Sequence, residues 1–326
     1  MNILLTAINA KYIHSNLAVY SLRACAGEYR DAVELAEYTI NNQKDYILEE
    51  LYKRKPDVLC FSCYIWNIDY VTDIAREYKK LCPSVPIWVG GPEVSYEVEA
   101  FLRENPYIDG VMIGEGEDTF RELCGYYAHK RKLSDIAGIA FRKNSTGNST
   151  SVNNIGGNKA GEIVFTSPRP IKNMSEIPFC YDTLDDFSNR IIYYESSRGC
   201  PFSCSYCLSS VDKTLRFRDT EIVKKELKFF IDQKVPQIKF VDRTFNCNHA
   251  HAMELWRFIK ANDNGVTNFH FEISADLLNQ EELELISDMR PGLIQLEIGV
   301  QSTNDVTIKE IHRTMKLERL KEVVRL

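Results

Sequence analysis

Cys200-Pro-Phe-Ser-Cys204-Ser-Tyr-Cys207, preceded by Ser197-Arg198-Gly199, places three cysteines at C-x3-C-x2-C spacing directly after the apolar run Ile191–Glu195. Three thiolates on one short loop can hold three corners of an iron–sulfur cube, which ordinarily takes four cysteine ligands. The fourth iron is then open to a substrate or cofactor. A structural zinc site is the alternative, but zinc closes with four ligands, commonly in C-x2-C pairs. The only other such pair here is Cys60/Cys63. Residues three apart on a strand point to opposite faces, so those two thiols are expected in the core.

Outward from the cysteines, the second half of the chain alternates strands and helices. Ile191–Glu195, Gln237–Asp242, Asn268–Ser274 and Leu293–Gln301 read as strands. Glu221–Gln233, Ala250–Asn262, Glu281–Met289 and Leu317–Leu326 read as helices. Phe269, Phe271, Ile273 and Ala275 share one strand face, and His270, Glu272, Ser274 and Asp276 share the other. Ile294, Leu296, Ile298 and Val300 likewise oppose Gln295, Glu297, Gly299 and Gln301, while Ile238, Phe240 and Asp242 lie on one face. Parallel strands covered on both sides should be apolar throughout. Polar faces on successive strands imply a cavity for a polar ligand at the strand C-termini, as in a β/α barrel, unless those groups pair with one another inside.

The first half reads as a different α/β domain. Apolar runs at Ile3–Ile8, Ala32–Tyr38, Val58–Cys63, Ile87–Gly90 and Gly110–Ile113 alternate with amphipathic stretches at Leu17–Tyr29, Tyr46–Arg54, Tyr70–Leu81 and Tyr96–Asn105. Several strands are apolar on both faces, so a doubly wound parallel sheet is expected, with ligands at the strand carboxyl ends. Gly90-Gly91-Pro92-Glu93 follows the fourth strand and Gly114-Glu115-Gly116-Glu117 the fifth. Glycine there permits tight turns or close approach to a ligand. No G-x-G-x-x-G follows the first strand, which disfavours a dinucleotide. Residues 1–135 are taken as this domain, 136–185 as a β-hairpin connector with a Ser/Asn/Gly-rich tip at Asn144–Gly161, and 186–326 as the second domain. The tip carries glycosylation-type sequons at Asn144 and Asn148, which a cytoplasmic protein would not use.

Composition sets the outer bounds. Of 326 residues, 44% are hydrophobic and 26% charged, as in ordinary globular proteins, and the net charge of −6 gives no whole-chain footprint for nucleic acid. No uncharged apolar run is long enough to span a membrane, and the N-terminus lacks a signal-peptide pattern. Ten cysteines without a framework spacing fit a reducing compartment, so a cytoplasmic location is expected.

The C-x3-C-x2-C loop, with Tyr206 before its last cysteine, resembles the signature of the radical S-adenosylmethionine (SAM) superfamily. Preceded by a domain with GGPE and GEGE loops, it resembles the cobalamin-binding radical SAM proteins over essentially the whole chain. That resemblance implies a cobalamin-binding Rossmann-like domain followed by a radical SAM barrel. It assigns Cys200, Cys204 and Cys207 to a [4Fe-4S] cluster, and Tyr206, Asp242, Glu272, Ser274, Glu297 and Gln301 to SAM. Gly90, Gly91, Gly114, Glu115 and Gly116 fall to cobalamin. It implies SAM cleavage with methyl transfer to carbon of a small substrate, fed by an external flavodoxin or ferredoxin. A radical rearrangement or cyclisation, or a binding protein without turnover, are the alternatives.

Two departures stand out. The D-x-H-x-x-G motif of many cobalamin folds is missing: Asn9-Ala-Lys-Tyr-Ile-His14-Ser-Asn16 has neither the Asp nor the Gly, so His14 is read as a loop residue. The chain opens directly on the first strand, without an upstream helical cap, and about four of the superfamily's six β/α units are legible. We expect a part of a longer protein.

Overall fold

The computed structural model describes residues 1–143, 161–187 and 189–325. The hairpin tip and both sequons therefore lie outside the described residues, Gly161 apart. The chain forms two compact units, Met1–Lys172 with Ile177–Arg190, and Asn173–Glu176 with Ile191–Leu326.

The first unit runs β1 (Ile3–Asn9), α1 (Leu17–Cys25), β2 (Val33–Thr39), α2 (Lys44–Arg54), β3 (Val58–Ser62), α3 (Ile68–Leu81), β4 (Ile87–Gly90), α4 (Val98–Glu104), β5 (Gly110–Met112), α5 (Glu117–Tyr127), β6 (Ile139–Lys143) and β7 (Glu162–Phe165). One seven-stranded sheet has the order β2-β1-β3-β4-β5-β6-β7. The first five strands in that order are parallel, which is the doubly wound arrangement with its switch point between β1 and β3. β1 and β3 are buried at every position, as a strand covered on both faces must be. α3 shows why the helices form: Val71, Ile74, Ala75 and Tyr78 are buried at helical spacing, and polar residues take the other face. The hairpin expected as a connector is built into the sheet instead, because β6 pairs antiparallel with β5 and β7 with β6. Helix α5 was not anticipated, although Phe120, Leu123 and Cys124 are buried at helical spacing.

Cys60 and Cys63 fall in the two separate cores on either side of the sheet. Burial pushes both thiols well above their ordinary range, so neither is a ready ligand or nucleophile. Trp88 needs Gly110 beside it, since a Cβ there would lie 2.3 Å from the indole. The indole N–H donates to the Tyr127 hydroxyl at 2.6 Å.

The second unit contains β8 (Ile192–Tyr194), β9 (Ser197–Arg198), β10 (Arg216–Phe217), α6 (Thr220–Asp232), β11 (Gln237–Phe240), α7 (His249–Ala261), β12 (Asn268–Ile273), α8 (Gln280–Ser287), β13 (Ile294–Ile298), α9 (Asp305–Glu310) and α10 (Leu317–Arg325). Its four-stranded sheet has the sequential order β8-β11-β12-β13, all parallel. α6, α7 and α8 each return the chain to the next strand, and α9 and α10 follow the last, giving four consecutive β/α units of an open barrel. Phe240, Phe245, Trp256 and Phe271 form the aromatic core of one face, with Phe245 and Phe271 at 4.3 Å and Phe245 and Trp256 at 5.5 Å. Among the described residues no helix is long and apolar enough to cross a membrane.

A buried ion pair ties this unit's entry segment to its first strand. Arg218 donates to both Glu226 oxygens, from Nε at 3.1 Å and Nη2 at 2.5 Å, and from Nη1 to the Met174 carbonyl. The Tyr194 hydroxyl donates to the same carboxylate at 2.5 Å. Glu226→Ala is expected to cost about 3–5 kcal/mol, the toll of leaving a buried guanidinium unpaired, seen as a lower urea midpoint for this unit.

Candidate functional site

The cysteine loop is closed at its base. β9 pairs antiparallel with β10, Ser197 opposite Phe217 and Arg198 opposite Arg216. The Cys200 N–H donates to the Asp212 carbonyl at 3.2 Å, and Arg218 N–H to the Ser196 carbonyl at 2.9 Å. Gly199 has φ +87°, and a Cβ there would sit 2.5 Å from the Thr214 carbonyl oxygen, so this position requires glycine. Cys200 and Cys204 are buried and Cys207 half-buried. Among the described residues no three His, Cys, Asp or Glu side chains converge on a single-ion site. A cubane asks for a different arrangement, one thiolate on each of three irons. The donor set, three thiols on one closed loop, fits that group.

Tyr206 is half exposed, and its hydroxyl accepts from Arg313 Nη1 at 3.0 Å. Ser205 N–H donates to the Ile311 carbonyl at 3.0 Å, so the segment after α9 borders the loop. Arg198, just ahead of the loop, donates to Glu195 at 2.9 Å.

The strand residues expected around SAM divide between two faces. Glu272 and Glu297 are register partners on the open face of β12 and β13. Lys239, missed in the sequence reading, stands between them, 2.8 Å from Glu297 and 3.6 Å from Glu272, and His270 lies 3.0 Å from Glu297. The polar face is thus partly paired with itself. Ser274 follows on the same side, with its hydroxyl donating to Asp276 at 2.7 Å. Its backbone is held from both sides by the fully buried Asn246, at 2.9 and 3.0 Å. Gln301 lies beyond β13 with φ +61° and an exposed side chain.

Asp242 departs from the expectation. Continuing the alternation of Ile238 and Phe240 puts it on the buried face, where it is fully enclosed. Its oxygens accept from Ser196 N–H at 3.0 Å, Ser196 Oγ at 2.7 Å and Ser197 Oγ at 2.5 Å. In this structure it serves the approach to the cysteine loop, not the open face. Burial pushes its carboxyl up to about 6 and pulls the His251 imidazole down to about 4.

In the first unit the loops after β1, β3, β4 and β5 gather at the strand carboxyl ends. Asn67, fully buried, donates from Nδ2 to the Ile8 carbonyl at 2.9 Å and the Ser62 carbonyl at 3.0 Å, and Asn16 donates to Ser62 Oγ at 3.2 Å. These bonds stitch the two sides of the switch point. Gly91 has φ +116° and leaves no room for a Cβ, which would lie 2.4 Å from the Cys63 carbonyl oxygen. Gly90 accepts from Cys63 N–H at 2.7 Å. Gly114, at φ +73°, has no described atom within 4 Å of a Cβ position, while Gly116 packs on Leu22. Glu115 accepts from the Lys172 N–H at 3.3 Å. Tyr12, Ile13, Ile65, Trp66 and Tyr96 are exposed on these same loops, with Trp66 stacked on Tyr64 at 4.4 Å. His14 shares the first loop, and its carbonyl accepts from Asn9 Nδ2 at 3.0 Å. Close-packed glycines beside an exposed apolar rim fit a broad, partly apolar ligand such as a corrin.

A sheet with open strand ends and a separate sheet carrying a clamped tri-thiol loop define a two-cofactor class of protein. The family comparisons agree. The model of the B12 binding domain matches residues 3–124, and that of the radical SAM superfamily matches residues 194–326. The chain belongs to the cobalamin-binding radical SAM superfamily proteins. It is 29% identical to the cobalamin-dependent radical SAM methyltransferase TokK of Streptomyces tokunonensis, over 71% of this chain and 33% of the relative. It is 23% identical to the anaerobic magnesium-protoporphyrin IX monomethyl ester cyclase of Rubrivivax gelatinosus, over 92% and 54%. The solved structure of the cobalamin-dependent SAM radical enzyme OxsB, with aqua-cobalamin and SAM bound, superposes with a TM-score of 0.75 at 18% identity, covering 99% of this chain and 47% of that one. The chain therefore spans about half or less of the length of these proteins.

Proposed function

We propose that this chain is the cofactor-binding part of a cobalamin-dependent radical SAM enzyme that methylates carbon on a small-molecule substrate, with an external flavodoxin or ferredoxin as electron donor. The closed cysteine loop, three thiols with no fourth ligand on the same segment, is the observation that carries this reading. Cys200, Cys204 and Cys207 would hold the [4Fe-4S] cluster, and Gly90, Gly91, Gly114, Glu115 and Gly116 would line the corrin. Tyr206, Glu272, Ser274, Glu297 and Gln301 would meet SAM. Asp242, buried on the other face of the sheet with its oxygens on Ser196 and Ser197, is read with the base of the cysteine loop instead.

When bound, these groups supply reductive cleavage of SAM, a 5′-deoxyadenosyl radical, and a methyl group for transfer. The chain's own residues orient and enclose. Arg313 holds the Tyr206 ring by its hydroxyl, leaving an aromatic face for a purine. Asn246 fixes the Ser274 backbone, and Lys239 keeps Glu272 and Glu297 from meeting as bare like charges. Relatives named as a methyltransferase support the methyl reading; the cyclase supports a second one, in which the same radical drives ring closure.

The test is anaerobic reconstitution of the chain with iron, sulfide and cobalamin, then incubation with SAM and dithionite. Formation of 5′-deoxyadenosine, detected by mass spectrometry, is the expected result. Label from methyl-labelled SAM entering cobalamin, and then product, selects methyl transfer. 5′-Deoxyadenosine without methyl incorporation selects the second reading, and its absence despite a full cluster removes both for this chain alone.

A further inference from the structure

We propose that Asp242 is a positioning residue for the cluster-bearing loop: with Ser196, Ser197 and His251 it locks the loop base, so that the three thiolates are presented in one geometry. The proposal rests on the reading that Cys200, Cys204 and Cys207 hold the cluster.

Every polar group of Ser196 is used. Its N–H and hydroxyl both go to Asp242, at 3.0 and 2.7 Å, and its carbonyl accepts from Arg218 N–H at 2.9 Å. Its Oγ lies 3.1 Å from His251 Nε2. Since the hydroxyl proton is committed to the carboxylate, the imidazole must be the donor, which fixes its Nε2–H tautomer. Ser197 adds a bond to the same carboxylate at 2.5 Å. His251 also grips the other strand of the base, with its ring 4.8 Å from Phe217. Ser197 of β9, Phe217 of β10, His251 of α7 and Asp242 just beyond β11 are thus linked in a chain of contacts around Ser196, ahead of Gly199-Cys200.

A Ser–His–Asp set invites a nucleophilic reading, but the geometry excludes it. Ser196 is fully buried and its hydroxyl donates to the carboxylate, whereas an activated serine donates to the imidazole. The contribution is mechanical. Thr244, two residues beyond Asp242, places Oγ1 3.9 Å from Cys200 Sγ. A shift of the β11 end would therefore reach a cluster ligand by two routes, through Ser196–Ser197 and through Thr244. Partners behind metal ligands commonly change affinity by about 10–100-fold.

The test follows chelator-driven loss of the reconstituted cluster by visible absorbance, together with the EPR spectrum and midpoint potential of the reduced cluster. Asp242→Asn keeps the shape but cannot accept from all three donors. It is expected to lose the cluster about 10-fold faster or more, with an altered EPR signal and an unchanged circular dichroism spectrum. Ser197→Ala should move the same readouts less, and Ser197→Thr should restore them. This serine series carries the test if Asp242→Asn does not fold. Wild-type cluster lifetime and EPR in both Asp242→Asn and Ser197→Ala overturn the proposal. So does loss of SAM binding in Asp242→Asn at unchanged cluster lifetime, which would make Asp242 a SAM ligand. A wild-type chain that takes up no iron fails the underlying reading, and the proposal with it.

Discussion

Cys204→Ala is expected to reduce 5′-deoxyadenosine formation to background, a loss of at least about 100-fold, beyond the effect of disturbing a residue behind the ligands. The thiol is a direct ligand under the proposed reading, and no neighbouring group on the loop can replace it. Tyr206 and Ser205 offer only oxygen, and soft thiolate is what an iron–sulfur cluster selects. Iron per chain should fall in parallel. The control is the other cysteine pair: Cys60→Ala and Cys63→Ala should leave iron content unchanged, because those side chains lie in opposite cores of the first unit's sheet. Retention of both iron and product by Cys204→Ala would place the radical chemistry elsewhere.

Gly91→Ala should act on the first unit alone. Its φ of +116° is outside the range of an alanine, and the added Cβ would lie 2.4 Å from the Cys63 carbonyl oxygen and 3.1 Å from its nitrogen. Those are backbone atoms at the end of β3, so relief requires β3 and the β4 loop to move apart. Backbone strain of about 1–3 kcal/mol and overpacking of about 1–3 kcal/mol together predict roughly 4 kcal/mol. Urea unfolding measures it, and cobalamin retained after gel filtration should drop with it. Gly114→Ala is the comparison: positive φ but open space, hence about 1 kcal/mol. Equal losses at the two positions would mean that backbone conformation alone, not the contact with Cys63, sets the cost.

What was legible in the sequence follows from what leaves a periodic trace. The alternation in β12 and β13 located the open polar face correctly, and apolar runs located all five parallel strands of the first unit. The same alternation, applied to Ile238, Phe240 and Asp242, already put Asp242 on the buried side. The family resemblance, assigning it to SAM, drew it toward the cavity. Lys239 sits at the opposite parity from Ile238 and Phe240 in the four-residue β11, where a single cation leaves no periodic trace. The two-residue strands β9 and β10 are too short for any period to register. Asn67 and Asn246 act through bonds to distant backbone, which no local pattern announces. Helix α5 was hidden by Gly114 and Gly116 just ahead of it and by the acids Glu117 and Asp118 of its first turn, a run that reads as loop.

Trp88 beside Gly110, Trp256 in the aromatic core and Trp66 on the exposed rim are the chain's three tryptophans. Their placement gives the molecule built-in optical reporters. Trp88 and Trp256 start in dry surroundings in different units, so emission from each shifts to the red only when its own unit opens. Trp66, already wet, is the one whose emission a coloured ring lying on the strand ends would quench. Replacing two of the three by phenylalanine would turn intrinsic fluorescence into a separate gauge of each half's unfolding and of occupancy at the rim.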